Sequence, residues 1–309
     1  MASLENVLFG SSIIVLSSIL LALNAVVLTT IATNSDFYVH TSYKIMLLMG
    51  VFDVAQGCIH LLSGIFTVLQ YEAQYWLESI MATIISPSYL TYVLVTILLS
   101  FNRFVLFCLP SREKQIFSPL GNRIWFGIVS AFFCLCAGLQ ASNKVRTYYD
   151  VTQYKWVYDV AYPWTAKRSE IALYYQLGGI FLAWCLYIVI AINLYRYRSG
   201  LGTSSSFKAN RKILIQAVVI IVYCSVQNFL WHKIDVFLPS GNVQNFIMNT
   251  MWIGNSGLSS FLCLTSTKEG QEQFHASSQP YTCDVNSSSL KYQHLHPDKK
   301  EKCEKAVSN

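Results

Sequence analysis

The stretch LLSFNRFVLFCLP, residues 98–110, places an arginine inside a long apolar run that stops only at its final proline. Similar runs recur along the chain and reach the roughly 20 residues that a helix needs to cross a bilayer. Of the 309 residues, 53% are hydrophobic and 12% are charged, whereas soluble domains carry about 25% charged residues. This composition predicts an integral membrane protein with several crossings.

Seven apolar segments are predicted to span the membrane. They cover approximately residues 8–32, 43–69, 80–107, 124–141, 171–195, 213–231 and 246–265. The expected fold class is an all-α membrane protein, a seven-transmembrane helix bundle. The membrane domain is predicted to cover residues 1–273. Residues 274–309 form a polar stretch rich in Ser, Lys and His, which predicts a disordered cytoplasmic tail.

The distribution of basic residues predicts the orientation of the bundle. With the N-terminus outside, 16 of the 22 Lys and Arg residues fall in the inner loops and the tail. Cytoplasmic loops carry the excess of positive charge, so we expect the N-terminus outside and the C-terminus inside. The long outer loop at 143–170 is the exception, and its five bases are partly offset by three acids.

Arg103 lies at the predicted inner end of the third segment, where an arginine either anchors the chain at the lipid headgroups or reaches neighbouring helices. An acidic residue, Asp53, lies midway along the second segment. Seven segments with these two features resemble the G-protein-coupled receptors, whose Asp/Glu-Arg-Tyr motif reads here as Asn102-Arg103-Phe104.

Three longer stretches sharpen this resemblance. They are SYKIMLLMGVFDVAQ at 42–56, LSFNRF at 99–104 and GLSSFLCLTSTKEGQ at 257–271. All three are similar to the nematode serpentine chemoreceptors, most closely to class T (Srt), with classes X and U as near alternatives. The resemblance implies a chemosensory receptor in the plasma membrane, in a sensory cilium. Such a receptor would bind a small environmental or pheromonal ligand within the helix bundle and activate a heterotrimeric G protein.

The resemblance also assigns residues to an activation switch. Arg103 would be held inside the closed bundle and released when the sixth segment moves outward. The other members of the predicted switch are Asn24, Asp53, Asn102 and Asn255. A sodium ion at Asp53 is the one cofactor that the resemblance suggests, because a carboxylate in the bilayer core requires a partner.

Two further sets of residues are predicted to make contacts. Ligand contacts are expected from residues near the outer half of the bundle: Gln56, His60, Ser86, Tyr89, Trp231, His232 and Trp252. G-protein contacts are expected from inner basic residues: Arg112, Lys114, Arg196, Arg198, Lys208, Arg211 and Lys212. Attraction of these bases to anionic lipid explains them equally well. Gln56 and His60 follow Asp53 by three and seven residues and therefore share its helix face.

The chain departs from the usual receptor pattern in several places. The sixth segment contains no proline, and the Asn-Pro-x-x-Tyr motif of the seventh reads NSGLS at 255–259. The outer regions 76–86 and 143–170 contain no cysteine, so the usual outer disulfide cannot form and the long loop must be held by packing or move. Asn102 replaces the acid that normally restrains the arginine, and this favours higher basal activity or weaker coupling.

Alternative interpretations remain open at this point. Asp53 with Gln56 and His60 could line an ion path, which would make the chain a small ligand-gated channel or transporter. The aromatic loop at 147–164 is either an interfacial belt or a lid over the pocket. Enzymes are not expected, because no Gly-x-Ser-x-Gly, His-Glu-x-x-His or P-loop motif occurs. Nucleic acid is not an expected partner, since no basic arm alternates with aromatic residues.

Overall fold

The structure of the protein is a computed structural model that describes residues 3–34, 40–197 and 205–278. Within these ranges, the side chains of residues 197, 205–213, 232, 235 and 266–278 are outside the description. Residues 1–267 form one compact unit and residues 268–309 a second. All side-chain contacts described below lie in the first unit.

The described residues form seven long helices of 23 to 37 residues. They are α1 (Leu4–Thr33), α2 (Thr41–Leu69), α3 (Tyr75–Cys108), α5 (Pro119–Ala141), α6 (Thr165–Tyr197), α7 (Ser205–Lys233) and α8 (Asn242–Ser278). A short helix α4 (Pro110–Ile116) follows α3, a 3-10 turn (Ile234–Val236) follows α7, and strands β1 (Thr147–Asp150) and β2 (Lys155–Tyr158) lie between α5 and α6. This is the seven-helix membrane bundle expected from the apolar segments.

Six of the long helices contain a stretch apolar enough to cross a bilayer, counted over the residues that the structure describes. The remaining helix, α8, is the most polar, and it buries its polar side chains against the other helices. Asn255, Ser256, Ser259 and Ser260 are each at most 4% exposed. Burial of polar groups is favourable only with hydrogen-bond partners, so the low hydropathy of α8 reflects its central position.

Most of the helices extend beyond the apolar segments from which they were predicted. The third begins at Tyr75 rather than at residue 80, and the fifth membrane helix, α6, begins at Thr165 rather than at 171. Polar and aromatic residues of the membrane interface continue the helical backbone there, and hydropathy alone does not count them. Helix α8 continues to Ser278, past the predicted domain boundary at 273. Most of the predicted tail, residues 279–309, lies outside the described residues.

Helices α1 and α2 approach closely because glycines line their contact. Gly50, Gly57 and Gly64 recur every seven residues on α2. A Cβ added at Gly10 of α1 would lie 2.9 Å from the backbone nitrogen of Val68 and 3.0 Å from the carbonyl oxygen of Gly64. Small residues at a helix contact allow backbones to approach within the membrane, so this glycine seam sets the α1–α2 distance.

The loop between α5 and α6 folds into a β-hairpin, which the sequence analysis did not anticipate. Strands β1 and β2 pair antiparallel, with Thr147 opposite Tyr158 and Asp150 opposite Lys155. The buried side chains of Tyr149, Val151 and Trp156 pack with residues of α2, α3 and α8, among them Ile59, Met81, Ile85 and Trp252. The hairpin therefore covers one end of the bundle, called the hairpin end below.

Candidate functional site

Arg103 lies on α3 with only 2% of its surface exposed. Among the described residues, its Nε has no hydrogen-bond partner and none of the carboxylates lies within 4 Å of its guanidinium. The phenolic groups of Tyr43 on α2 and Tyr187 on α6 interact with it electrostatically. The adjacent Asn102 accepts a 2.7 Å hydrogen bond from the Ser42 hydroxyl instead of pairing with the arginine. The guanidinium is thus enclosed without an ion pair in the described part of the chain.

A small cavity of about 10 Å³ lies beside Arg103. Its lining comes from α2, α3, α7 and α8, and includes Met49, Leu99, Ala217, Ile220 and Ser259. Burying an arginine without a carboxylate partner is costly. Ala217 and Ile220 show that α7 forms one wall of this enclosure. A displacement of α7 would therefore open the space around Arg103 to a partner.

Asp53 is fully buried on α2. Its Oδ2 accepts a 2.7 Å hydrogen bond from the Ser259 hydroxyl of α8, and its Oδ1 has no partner in the described part of the chain. The unpaired oxygen and the neighbouring hydroxyl are the oxygen donors that a hard cation prefers. A group of three or more His, Cys, Asp or Glu side chains able to hold a metal ion does not occur among the described residues.

Asn24 and Asn255 complete the predicted switch in different ways. The Asn24 side chain joins α1 to α8, since its Nδ2 donates to the Ser256 carbonyl at 3.0 Å and its Oδ1 accepts from the Ser260 hydroxyl at 2.5 Å. Asn255 accepts from the Cys224 thiol at 3.5 Å, while its Nδ2 has no partner in the described part of the chain. Serines of α8 are therefore the bonded partners of Asp53 and Asn24.

Four of the predicted ligand residues converge on a fifth, Trp252 of α8. The Trp252 indole donates to Gln56 Oε1 at 2.9 Å. Its ring lies 5.2 Å from that of His60, 5.3 Å from that of Tyr89 and 6.0 Å from that of Trp231, measured between ring centres. These five residues are called the Trp252 cluster. They bring together α2, α3, α7 and α8 next to the hairpin.

The Trp252 cluster and its surroundings contain polar groups with unused hydrogen-bonding capacity. His60 is fully buried, and both of its ring nitrogens lack a partner among the described residues. The side-chain amide of Asn249, one helical turn before Trp252, likewise has neither its donor nor its acceptor satisfied within the described part of the chain. Buried polar groups are normally hydrogen-bonded, so these atoms are suited to receive a polar ligand.

Among the described residues, the other predicted contact residues lie outside this cluster. Ser86 of α3 accepts a 2.6 Å hydrogen bond from Nη2 of Arg168 on α6, and the His232 side chain lies outside the described residues. Arg112 and Lys114 are exposed on α4, and Arg196 is exposed near the end of α6. The side chains of Arg198, Lys208, Arg211 and Lys212 lie outside the described residues.

Several residues of this site were missed by the sequence analysis. Ser42, Ser256, Ser259 and Ser260 carry the hydrogen bonds of the predicted switch, and Arg168 binds Ser86. The serine density of NSGLSS at 255–260 was a usable signal for the first group. Arg168 gave no such signal, because its distance along the chain from Ser86 hides the contact.

Polar and aromatic contacts hold the hairpin in place of a disulfide. Arg146 Nη2 lies 3.2 Å from Glu78 Oε2, and its Nη1 lies 3.8 Å from Asp159 Oδ2. The rings of Tyr75, Tyr148 and Tyr162 lie 5.2, 5.5 and 6.0 Å from its guanidinium carbon. Two tyrosines of the hairpin region extend these contacts, since the Tyr149 hydroxyl is 2.9 Å from the Thr67 hydroxyl and the Tyr154 hydroxyl donates to Asn6 at 2.5 Å.

The bundle, its buried arginine and its covered polar interior define a seven-transmembrane receptor. The family of the serpentine type 7TM GPCR chemoreceptor Srt matches residues 1–280, and the chain belongs to this family. Comparison with curated protein sequences finds no match. Family membership confirms the class T resemblance, the multi-pass location in the plasma membrane and the expectation that the chain is not an enzyme. The roles of individual residues stay predictions.

Proposed function

We propose that this chemoreceptor binds a small ligand at the Trp252 cluster and transmits binding to a heterotrimeric G protein through Arg103. The observation that carries the proposal is that α8 holds both Trp252, at the proposed ligand site, and Ser259, beside the cavity at Arg103. Trp252 and Ser259 lie seven residues apart, two turns of one helix. Ser259 bonds Asp53 and also lines the cavity beside Arg103. A change at Trp252 is thereby connected to the surroundings of Arg103.

The proposed switch follows from these contacts. A ligand that competes for the Trp252 ring or for the Gln56 side chain moves α8. The Ser259–Asp53 hydrogen bond transfers this movement to α2, and the wall of α7 at Ala217 and Ile220 separates from Arg103. The ligand favours the open state only by the difference between its affinities for the two states.

The freed guanidinium would meet the G protein at the end of the bundle opposite the hairpin. Arg112, Lys114 and Arg196 supply exposed positive charge near that end, and Arg198, Lys208, Arg211 and Lys212 would add to it. This assignment uses the orientation predicted from the basic residues, with the N-terminus outside the cell. The expression site, a sensory cilium, is part of the same proposal.

The first test combines topology with coupling in one cell line. Tags on both termini are stained without permeabilisation, and G-protein recruitment is recorded with a mixed panel of small odorants in the wild type, Arg103→Ala and Arg123→Ala. Arg123 is exposed at the start of α5, so its variant controls for loss of one basic charge near the same end of the bundle.

We expect an accessible N-terminus, a hidden C-terminus and odorant-driven recruitment that Arg103→Ala abolishes and Arg123→Ala preserves. Surface expression of both variants should be close to that of the wild type. If Arg103→Ala recruits the G protein as well as Arg123→Ala does, Arg103 only anchors its helix at the membrane and takes no part in signalling. An accessible C-terminus, or ion current without recruitment, would overturn the proposal in favour of the channel or transporter alternative.

A sodium ion at Asp53 is a second part of the proposal, supported by the unpartnered Asp53 Oδ1 and the adjacent Ser259 hydroxyl. These two residues would hold the ion, which supplies positive charge to the buried carboxylate. Basal recruitment is measured in sodium and in a potassium or choline replacement. Sodium should lower basal recruitment in the wild type and have no effect in Asp53→Asn. Equal basal recruitment in all three salts would remove the ion from the mechanism.

A further inference from the structure

Arg168 is a second buried arginine, and the proposed switch does not involve it. It lies in the first turn of α6 and is 6% exposed. Its Nη2 donates to Ser86 Oγ at 2.6 Å, and its Nη1 is buried with no hydrogen-bond partner among the described residues. In the described part of the chain, none of the carboxylates lies within 4 Å of it. The guanidinium therefore has a buried donor and a full charge with no counter-charge among the described residues.

Structural explanations do not account for this arrangement. An arginine that anchors a helix at the membrane surface extends its charged end to the headgroups, but Arg168 is enclosed by protein. The adjacent Lys167 is exposed and shows the ordinary arrangement at this position of the helix. Arg146, directly before β1, lies within 4 Å of two carboxylates, whereas none of the described carboxylates lies within that distance of Arg168. A guanidinium left unpaired in an apolar site favours binding of an anion.

The position of Arg168 connects it to the proposed ligand site. Its partner Ser86 lies three residues before Tyr89 on α3, and residues at this spacing are neighbours on a helix surface. Tyr89 in turn contacts Trp252. One face of α3 therefore carries Ser86, which binds the charged Arg168, and Tyr89, which contacts the aromatic ring of Trp252. A molecule lying along this face would meet a guanidinium and a hydroxyl at one end and aromatic rings at the other.

We infer that Arg168 and Ser86 bind the carboxylate of a small organic acid whose apolar body lies against the Trp252 cluster. This inference rests on the proposed ligand site and names its ligand class. The planar guanidinium can donate to a carboxylate through both Nη atoms, a geometry that the point charge of lysine does not reproduce. Ser86 can donate its hydroxyl proton to the same carboxylate once Arg168 turns from it.

The test measures binding directly, without a G protein. The full-length receptor is purified in nanodiscs at neutral pH, and its thermal midpoint is measured with straight-chain acids from butyrate to decanoate and with benzoate and phenylacetate. The matched primary alcohols, methyl esters and inorganic phosphate are the comparison probes. The variants are Arg168→Gln, Arg168→Lys and Ser86→Ala, with Lys167→Gln as the matched control for an exposed charge on the same turn.

We expect at least one acid to raise the midpoint of the wild type well above its alcohol and ester. Arg168→Gln should weaken apparent affinity for that acid by roughly 10- to 100-fold, the range for losing a charged hydrogen bond. The apparent affinity of Arg168→Lys for the acid should fall between those of the wild type and Arg168→Gln. Ser86→Ala should lose about tenfold or less in affinity, and Lys167→Gln should bind the acid as the wild type does. If Arg168→Gln does not fold, Arg168→Lys and Ser86→Ala carry the test.

Three results would overturn the inference. They are the absence of any acid-dependent shift across the series, equal shifts by acids and their alcohols, and equal stabilisation by inorganic phosphate. Persistence of the acid effect in Arg168→Gln at wild-type strength would show that the acid binds elsewhere. The proposed function is judged separately, because odorant-driven recruitment by neutral compounds could persist when every acid fails, and acid binding could persist when recruitment is absent.

Discussion

At the hairpin end of the bundle, Arg146 lies between two carboxylates and three tyrosine rings. On the inner part of α3, by contrast, Arg103 is buried and has no carboxylate within 4 Å among the described residues. The same side chain is thus fixed in one region and left unpaired in the other. Charge-assisted hydrogen bonds hold a structure in place, and an unpaired buried charge favours any state in which it gains a partner. The comparison separates an arginine that holds the hairpin in place from an arginine whose surroundings are suited to open.

The α1–α2 seam shows the same contrast in its packing. A Cβ at Gly10 meets two backbone atoms, at 2.9 and 3.0 Å. A Cβ at Gly50, toward the other end of the seam, meets only the side chain of Leu28, whose Cδ2 lies 2.4 Å away. Moving backbone atoms away from an added methyl group costs much free energy, whereas a leucine side chain can move away by changing rotamer. Packing near the hairpin is therefore less tolerant than packing near Arg103.

The largest expected effect comes from Gly10→Ala. The added methyl group forces α1 and α2 apart, and overpacking of this kind costs about 3 kcal/mol. Gly50→Ala should cost less than about 1 kcal/mol, because Leu28 can move and alanine favours the helix. Gly178→Ala is the control, since a Cβ there has nothing within 4 Å. The measurement is the thermal midpoint of the purified receptor together with surface expression. Equal losses for Gly10→Ala and Gly50→Ala would remove the contrast along the seam.

The second prediction concerns Arg146→Gln, which removes the charge that holds the hairpin. The side chain is 32% exposed, so solvent screens its ion pairs, and the expected loss is about 1–2 kcal/mol from a partly screened charged hydrogen bond and several ring contacts. The thermal midpoint should fall by several degrees. Lys144→Gln, an exposed neighbour with one ring contact to Trp164, should change the stability by less than about 0.5 kcal/mol. A hairpin as stable in Arg146→Gln as in the wild type would show that apolar packing alone replaces the disulfide.

The sequence predicted the bundle much better than it predicted these contacts. Long apolar runs are a property of each helix alone, so the seven segments and the central Asp53 could be read directly. The pairing of Ser259 with Asp53 and of Ser86 with Arg168 depends on how helices turn toward one another, and residue spacing does not report that rotation. The sequence of the hairpin indicates only an aromatic loop, because each strand has four residues and so short a length does not develop the alternation that predicts a strand.

The third prediction tests whether the unpaired state of Arg103 contributes to signalling. In Asn102→Asp, a buried carboxylate next to the arginine would add a charged hydrogen bond. Because burying the carboxylate offsets much of that gain, we expect the closed bundle to be stabilised by about 1 kcal/mol. Basal nucleotide exchange should fall about fivefold, the equilibrium change that corresponds to this energy. Asn102→Leu removes the hydrogen bond to Ser42 without adding charge and serves as the control. Unchanged or higher exchange in Asn102→Asp would show that the missing acid does not set basal activity.

The smallest effect is expected at the turn of the hairpin. Burial would raise the pKa of the Asp150 carboxyl, but hydrogen bonds from Thr152 and Gln153 outweigh burial and hold this pKa below its ordinary value. A carboxyl whose pKa is lower in the folded state adds stability that is complete above the unfolded value of about 3.9 and disappears as pH falls through the folded value. The difference in thermal midpoint between the wild type and Asp150→Asn isolates this contribution, because every other carboxyl group is common to both proteins. The wild type should be slightly more stable at neutral pH, and the difference should vanish only below about pH 4. A difference that is constant through this range would show that the turn depends on the shape of the side chain at 150 and not on its charge.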